Sequence, residues 1–313
     1  MIPKKIVILG AGESGVGAAI LARAQGLDVW VSDAGTIAPQ YKEALRTHQI
    51  AFEEHTHTLS AVLDACEIVK SPGIPHSAPV VQAAIEAGIP IISEVELASR
   101  YTTAKLIGIT GSNGKTTTAH LTYHILQQAG LHVGLAGNVG TSFARSVAQH
   151  QYDCYVLELS SFQLEDIEAF RPDVACLLNI TPDHLDRYQG QMELYISAKF
   201  HLLRNMPPQA CVVYNQDDTY IQARLASMAT KPALYAISLH REVIRGAYAK
   251  HGQLHCTLND HSFSIPQSSL KLLGQHNQYN ALAAMTMAGL MGVTPQAIQA
   301  GLSTFAGVPH RME

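Results

Sequence analysis

The 313-residue chain is expected to form an α/β protein of two domains. Three observations carry this. Short apolar runs alternate with amphipathic stretches along most of the chain, as in parallel strands joined by helices. Twice, near residues 4–25 and 104–128, an apolar run stops at a glycine-rich turn that opens a helix. Residues 243–265 break the pattern with short strands and turns at His251-Gly252 and Asn259-Asp260, a small antiparallel sheet. The organisation is therefore a Rossmann-like parallel-sheet domain at 1–93, a central P-loop ATPase-like domain at 94–304, and the start of a linker at 305–313.

The first strand, 4–10, runs into Gly10-Ala11-Gly12-Glu13-Ser14-Gly15, and a helix follows from Val16 to Gln25. A second strand, Asp28 to Ser32, ends at Asp33. This is the dinucleotide fingerprint, with its acidic residue at the end of the second strand. Alone it suggests NAD and an oxidoreductase. The same backbone amides and helix end suit any nucleotide diphosphate. A further strand, Glu67 to Lys70, enters the stiff turn Ser71-Pro72-Gly73-Ile74-Pro75, at the strand end where open α/β sheets hold ligands. A helix from Pro79 to Ala87 and a strand from Ile89 to Ser93 complete the domain, and Glu94 to Thr103 carries the chain onward.

The second domain opens on the stretch that organises the whole chain. Leu106 to Ile109 reads as a buried strand, Gly111-Ser112-Asn113-Gly114 as a loop, and Lys115-Thr116-Thr117 as the start of a helix reaching Gln128. Backbone amides and the helix N-terminus there suit a polyphosphate. Lys115 would reach the β- and γ-phosphates and the Thr116 hydroxyl would ligate Mg²⁺. The usual pattern has a glycine where this chain has Ile109, and Gly108 stands one residue earlier.

Strands at Leu131–Ala136, Cys154–Leu159 and Val174–Ile180 then finish in polar residues at one sheet edge. They supply Asn138, Glu158 with Ser160, and the run Thr181 to Asp186 containing His184. A carboxylate at the end of a hydrophobic strand, across from a phosphate loop, suits Mg²⁺ or its waters. An edge carboxylate capping a helix has the same appearance, and His184 alone reads equally as an ordinary loop histidine. Lys199 sits in a helix from Met192 to Asn205, among Ala198, Phe200, Leu202 and Leu203. It is either a solvated cation or a part-buried amine of lowered pKa, and spacing leaves both open. Strands near Cys211–Tyr214 and Leu234–Ile237, the runs Val243–Ala249, Leu254–Leu258 and Ser262–Ile265, and an apolar helix from Ala281 to Met291 follow.

Bulk properties narrow the class. Hydrophobic residues make up 47% of the chain and charged ones 15%, enough for a sizeable core. A net charge of −4 gives no reason to expect nucleic acid or an anionic membrane as partner. No apolar run is long enough to span a bilayer. Cys66, Cys154, Cys176, Cys211 and Cys256 lie far apart, as expected for reduced thiols in a cytoplasmic protein.

Taken together, Gly111 to Thr117, Gly137-Asn138-Val139-Gly140, Glu158 to Glu165, Asn179 to Tyr188, Ala198-Lys199, His276 to Leu282 and Pro309-His310-Arg311 resemble the Mur ligases in content and order. The resemblance covers nearly the whole chain. It implies an ATP-dependent, ADP-forming amide ligase of peptidoglycan precursor synthesis, serving cell shape and division. The run Glu158-Leu159-Ser160-Ser161-Phe162-Gln163-Leu164 is most similar to the D-glutamate-adding branch, with a branch adding another amino acid as the alternative. Its substrates would be UDP-N-acetylmuramoyl-L-alanine, ATP and D-glutamate, joined through an acyl phosphate.

By the same resemblance the first domain holds UDP rather than NAD, using Gly12, Glu13, Ser14, Gly15, Asp33, Ser71, Pro72 and Gly73. Ala34-Gly35 stand where members often carry a hydroxyl or basic side chain. Asn138 and Ser160 would touch the sugar-peptide. Residues Gly111, Ser112, Asn113, Gly114, Lys115, Thr116 and Thr117 would hold ATP, with Asn277 and Asn280 facing adenine and Arg311 near the nucleotide. One or two Mg²⁺ ions would bind Thr116, Glu158, His184 and Lys199, the last as a carbamate. Lys115, Asn138, His184 and Lys199 would be the catalytic residues. Members continue into a third domain that binds the incoming amino acid, whereas this sequence stops at Glu313. The expectation is a monomer of the first two domains that binds the UDP-sugar without completing ligation.

Overall fold

The computed structural model describes residues 4–229, 232–259 and 261–308. They divide into two compact units. The first comprises Met1–Thr103, Ala136–Gln151 and Ser161–Phe170, and the second Ala104–Leu135, Tyr152–Ser160 and Arg171–Glu313.

The first unit is a five-stranded parallel sheet in the order β3-β2-β1-β4-β5. Its elements in chain order are β1 (Lys5–Leu9), α1 (Glu13–Ala24), β2 (Asp28–Ser32), α2 (Pro39–Thr47), β3 (Ala51–Glu53), α3 (Leu59–Leu63), β4 (Glu67–Lys70), α4 (Pro79–Glu86), β5 (Ile91–Ile92) and α5 (Glu94–Ser99). Val7, Ile8 and Leu9 on β1 are fully buried, which is why the strand reads as a continuous apolar run. The strand order reverses at β1, so the turns after β1 and β4 meet at the switch point.

Two differences from the sequence reading have local causes. The strand at Ile89–Ser93 shrinks to two residues, because Pro90 can only offer its carbonyl to the ladder, to Ile68 N–H at 2.9 Å. Glu94 to Ser99 forms a helix rather than a plain connection. Ser93 caps it by accepting the Glu96 amide at 3.2 Å, and Glu94 and Glu96 place acids in its first turn.

The second unit carries most of a nine-stranded mixed sheet, ordered β14-β13-β12-β11-β10-β9-β6-β8-β7. The chain runs β6 (Lys105–Thr110), α6 (Lys115–Gln128), β7 (Val133–Gly137), α7 (Phe143–Gln149), β8 (Cys154–Glu158), α8 (Ser161–Glu165) and β9 (Val174–Leu177). It continues as α9 (Met192–Phe200), β10 (Cys211–Asn215), α10 (Thr219–Ser227), β11 (Ala233–Ser238), β12 (Gly246–Lys250), β13 (Gln253–Leu258), β14 (His261–Pro266), α11 (Gln275–Leu290) and α12 (Pro295–Thr304). The helices α7 and α8 belong to the first unit.

β6 lies between β8 and β9, parallel to both, so the loop after β6 opens beside the ends of its two neighbours. The β12–β13 and β13–β14 pairs are antiparallel as expected, and β12 joins β11 in parallel, so this three-stranded antiparallel part is an extension of the main sheet. The apolar helix starts at Gln275, six residues before the expected Ala281. It packs on α6 through a core of Ile125, Leu126, Ala281, Ala284 and Met285. No helix among the described residues is long and apolar enough to cross a membrane.

Candidate active site

In the second unit, β6 delivers the chain to Gly111–Gly114, and α6 begins at Lys115. Gly114 takes the left-handed conformation, φ +83, and a Cβ there would sit 2.5 Å from Asn280 Oδ1. The loop is held from outside. The amides of Ser112 and Asn113 donate to the Asn179 main-chain and side-chain oxygens at 2.9 and 2.8 Å, and Asn179 donates back to the Asn113 carbonyl at 2.9 Å. Ser112 Oγ accepts the Thr181 amide at 3.0 Å and meets the Tyr195 hydroxyl at 2.9 Å. The amides of α6's first turn point out of the loop by helix geometry, without intrahelical acceptors.

Two lysine amino groups converge on one oxygen. Lys115 Nζ donates to the carbonyls of Gly111 and Ser112, both at 2.9 Å, and Lys199 Nζ donates to Gly111 at 2.8 Å. Lys199 is 2% exposed and lies 4.5 Å from the centre of the Tyr195 ring. Burial, with Lys115 nearby, pushes its amine down to about 7, against an opposing pull from Asp183. The choice that spacing left open therefore falls to the buried amine. Its burial has a simple cause: α9 presents Tyr195, Ile196, Ala198 and Phe200 to the core, and Lys199 lies among them.

Glu158, 1% exposed, is the last residue of β8 and pairs in register with Ile109, two residues before Gly111. Thr116 is also buried, in the first turn of α6. His184 is exposed, has φ +50, and lies 3.5 Å from the Asp183 carboxylate, the group that acts on Lys199. Ser160 is half-buried just beyond β8. Asn138 belongs to the first unit, on the exposed turn after β7. Arg311 lies outside the described residues.

Beside the loop is a cavity of about 710 Å³, lined by Asn113, Gly114, Thr117, Asn179, Asn277 and Asn280 among others. Asn280 is mainly a strut: it is buried, accepts from the Thr118 hydroxyl at 3.1 Å and donates to Asn277 at 3.2 Å. Asn179 opens the run to Tyr188 with no role of its own to be read there, and Tyr195 does not stand out in the sequence. An asparagine after a strand and a tyrosine in a helix are ordinary until the topology sets β9 beside β6.

The first unit holds a second cavity, about 540 Å³, at the switch point. Gly10, Asp33, Gly73 and Ile74 line it. Asp33 accepts the Ala11 amide at 2.6 Å and the Gly35 amide at 2.7 Å, tying the glycine-rich turn to the end of β2. Gly12 and Ser14 open α1, and the absent side chain of Gly15 lets α1 close on β1: a Cβ would stand 1.8 Å from the Gly10 carbonyl oxygen. Ser71 Oγ donates to that same carbonyl at 3.3 Å, and Pro72 follows in the turn. Glu13 turns toward α7, accepting the Ser142 amide at 3.2 Å and lying 3.3 Å from Arg145 Nε.

The Ser71–Pro75 turn rests on a buried pair that sequence reading missed. Lys70, 1% exposed, donates to the Ile74 carbonyl at 2.9 Å and reaches Asp166 Oδ2 at 2.9 Å, while His76 Nε2 lies 2.7 Å from Asp166 Oδ1. Burial alone would raise the Asp166 carboxyl, but His76 and Lys70 outweigh it and hold it below the usual range.

A parallel sheet with a glycine-rich switch point, followed by a mixed sheet with a phosphate loop, defines the class, and the chain belongs to the Mur ligase family. The family's middle-domain model matches residues 109–288, and the model described as Mur ligase MurD-like, N-terminal domain, matches residues 4–93. Among curated relatives, the chain is 50% identical to UDP-N-acetylmuramoylalanine--D-glutamate ligase of Bacteroides fragilis, over 99% of this chain and 70% of that protein. It is 44% identical to the enzyme of the same name from Christiangramia forsetii, with the same coverage. Among solved structures, a UDP-N-acetylmuramate:L-alanyl-gamma-D-glutamyl-meso-diaminopimelate ligase from Neisseria meningitides superposes with a TM-score of 0.69, at 24% identity, over 98% of this chain and 99% of that one. The fold is thus that of the family, and the reaction class is ATP-dependent, ADP-forming ligation in peptidoglycan precursor synthesis.

Proposed function

We propose that the protein joins D-glutamate to UDP-N-acetylmuramoyl-L-alanine at the expense of ATP. The observation that carries this reading is the convergence of Lys115 and Lys199 on the Gly111 carbonyl, next to a helix N-terminus. The Lys115 cation and a row of amides suit the terminal phosphates of ATP, with Lys199 beside them. The cavity beside them, with Asn277 and Asn280 on its wall, suits the nucleoside.

The donor set fits Mg²⁺. Thr116 offers a buried hydroxyl and Glu158 a buried carboxylate, the hard oxygen ligands this ion takes, and the family resemblance adds His184, exposed beside Asp183, as a further ligand. Bound Mg²⁺ supplies charge neutralisation between the substrate carboxylate and the phosphates. Lys115 adds its own positive charge to the transferring phosphoryl group. An amine with a pKa of about 7 is partly neutral at physiological pH and so can add to CO₂. The new N–C bond forms at Nζ with loss of a proton, and Lys199 becomes an anionic carbamate able to join Thr116, Glu158 and His184 as a ligand.

The alanyl carboxylate attacks the γ-phosphorus and ADP leaves. The amine of D-glutamate then attacks the acyl phosphate and phosphate leaves. In the first unit, Gly12, Ser14, Asp33 and the Ser71–Gly73 turn hold the UDP end, and Asn138 and Ser160 belong to the sugar-peptide. We take the domain boundaries as 1–93 and 94–304 from the spans of the two family models, with α5, α7 and α8 of the second span grouped in the first compact unit. The protein is read as a cytoplasmic monomer.

The test is turnover of the full-length gene product with UDP-N-acetylmuramoyl-L-alanine, ATP, Mg²⁺ and radiolabelled amino acids. Equimolar ADP, phosphate and D-glutamyl product are expected. Equal incorporation of another amino acid would replace the D-glutamate assignment. Tight NADH binding that UDP fails to displace would overturn the reading of the first unit.

A further inference from the structure

We infer that His57 reads the base of the uridine nucleotide, its Nε2 accepting the imide N3–H of uracil. The inference rests on the reading of the first unit as the UDP-binding half. Among the described residues lining the 540 Å³ cavity, only Asp33 and His57 bring polar side chains; the rest are glycine, alanine, proline, leucine, isoleucine and valine. Both Asp33 oxygens already accept main-chain amides, from Ala11 and Gly35. Ala34 and Gly35 add no polar side chain. A nucleotide whose phosphates lie at the Gly10–Gly15 turn passes its ribose over the end of β2. Its base then falls toward the β3 side, where His57 and the half-exposed Leu59 follow Glu53, and Ile74 and Pro75 of the turn after β4 line the same cavity as an apolar wall. A flat ring fits between such walls, and His57 is the polar group left to read its edge.

Hydrogen counting sets which way the imidazole faces. Glu53 accepts from the Thr58 amide at 2.8 Å, the Thr58 hydroxyl at 2.6 Å and the Ser32 hydroxyl at 2.7 Å. Burial would raise its carboxyl, but these bonds outweigh it and hold the group below its usual range, so it is ionised and only accepts. Ser32 is fully buried and has one proton, which goes to the Glu53 carboxylate, a far better acceptor than the Thr56 carbonyl at 3.5 Å. The 2.6 Å contact between Ser32 Oγ and His57 Nδ1 must then be donated by the ring. In the neutral imidazole Nδ1 carries the proton, and Nε2 is an acceptor with no partner among the described residues. An acceptor suits the N3–H of uracil and repels the unprotonated N3 of cytosine.

The test is calorimetric binding of UDP and N3-methyl-UDP to the wild type, His57→Ala and His57→Phe, with Trp30 fluorescence as the check on folding. Wild type is expected to bind UDP about five- to tenfold tighter than the N3-methyl analogue, the worth of one neutral hydrogen bond. Both variants are expected to bind the two ligands equally, Phe keeping the bulk of the ring without its acceptor. Equal binding by wild type, or a preference retained in His57→Phe, overturns the role of His57 while leaving the uridine site in place. Failure of UDP to bind at all, with ATP bound normally, overturns both. Ring ¹⁵N shifts showing His57 protonated at Nε2 rather than Nδ1 would also refute the hydrogen-bond chain.

Discussion

Glu94 opens α5 in the first unit with its carboxyl entirely buried. One oxygen accepts the Ala144 amide at the start of α7, and the other, Oε2, has no hydrogen-bond partner among the described residues. Burial, with Glu13 adding like charge, pushes its pKa from 4.5 up to about 7. The folded state therefore holds the proton more tightly than the unfolded chain. Stability is whole below pH 4.5, falls as pH rises from 4.5 to 7, and levels off above. At about 1.4 kcal/mol per pH unit, the gap between 4.5 and about 7 costs roughly 3 kcal/mol at pH 8. Glu94→Gln keeps an acceptor for Ala144 and never ionises. It is expected to match wild type near pH 4.5 and to exceed it by up to roughly 3 kcal/mol at pH 8. The chain has one tryptophan, Trp30 on β2, so its fluorescence in urea titrations follows this unit alone. Other titrating groups cancel in the difference between the two proteins. If wild type and variant gained or lost stability in parallel from pH 4.5 to 8, the reasoning about Glu94 would be wrong.

Lys199→Ala is expected to slow acyl-phosphate formation by at least about a hundredfold, the scale of losing one preorganised charge, and Lys199→Glu to retain part of the rate. Trapping the intermediate with hydroxylamine measures both, and normal turnover by the alanine variant would remove the carbamate role. Asp166→Ala strands the buried Lys70 ammonium and should cost about 3–5 kcal/mol in urea unfolding, with recovery in Lys70→Met/Asp166→Leu; a loss under about 1 kcal/mol would show the pair to be dispensable. Gly15→Ala drives a Cβ against the Gly10 carbonyl, so UDP affinity should fall while ATP affinity holds, as read by calorimetry. Equal UDP affinity would mean that α1 can back away from β1 freely.

What was legible in the sequence was what periodicity and glycine punctuate. The runs 6–9, 106–109 and 154–157 within β1, β6 and β8 are apolar because both faces of a parallel sheet are covered, and the first two stop at glycine-rich turns. The stretch from Asp33 to Glu67 gave no such signal. α2 buries a single residue, Leu45, β3 is three residues long and α3 five, so none carries a full period of apolar positions. The supports of the candidate site were hidden for another reason. Lys70 and Asp166 are 96 positions apart in the sequence, and nothing in either neighbourhood calls for the other. Ser32, Glu53 and His57 become a chain of hydrogen bonds only once β3 lies beside β2. Burial of Lys199 likewise depends on which face α9 turns inward, which its low amphipathicity conceals.

The clasp of Asn179 on Ser112 and Asn113 has a kinetic corollary. A loop already fastened in its ligand-ready shape surrenders little conformational entropy when the nucleotide arrives. Encounter should then proceed at a rate set by diffusion and charge rather than by loop ordering, and weakening the clasp should slow association before it hastens release.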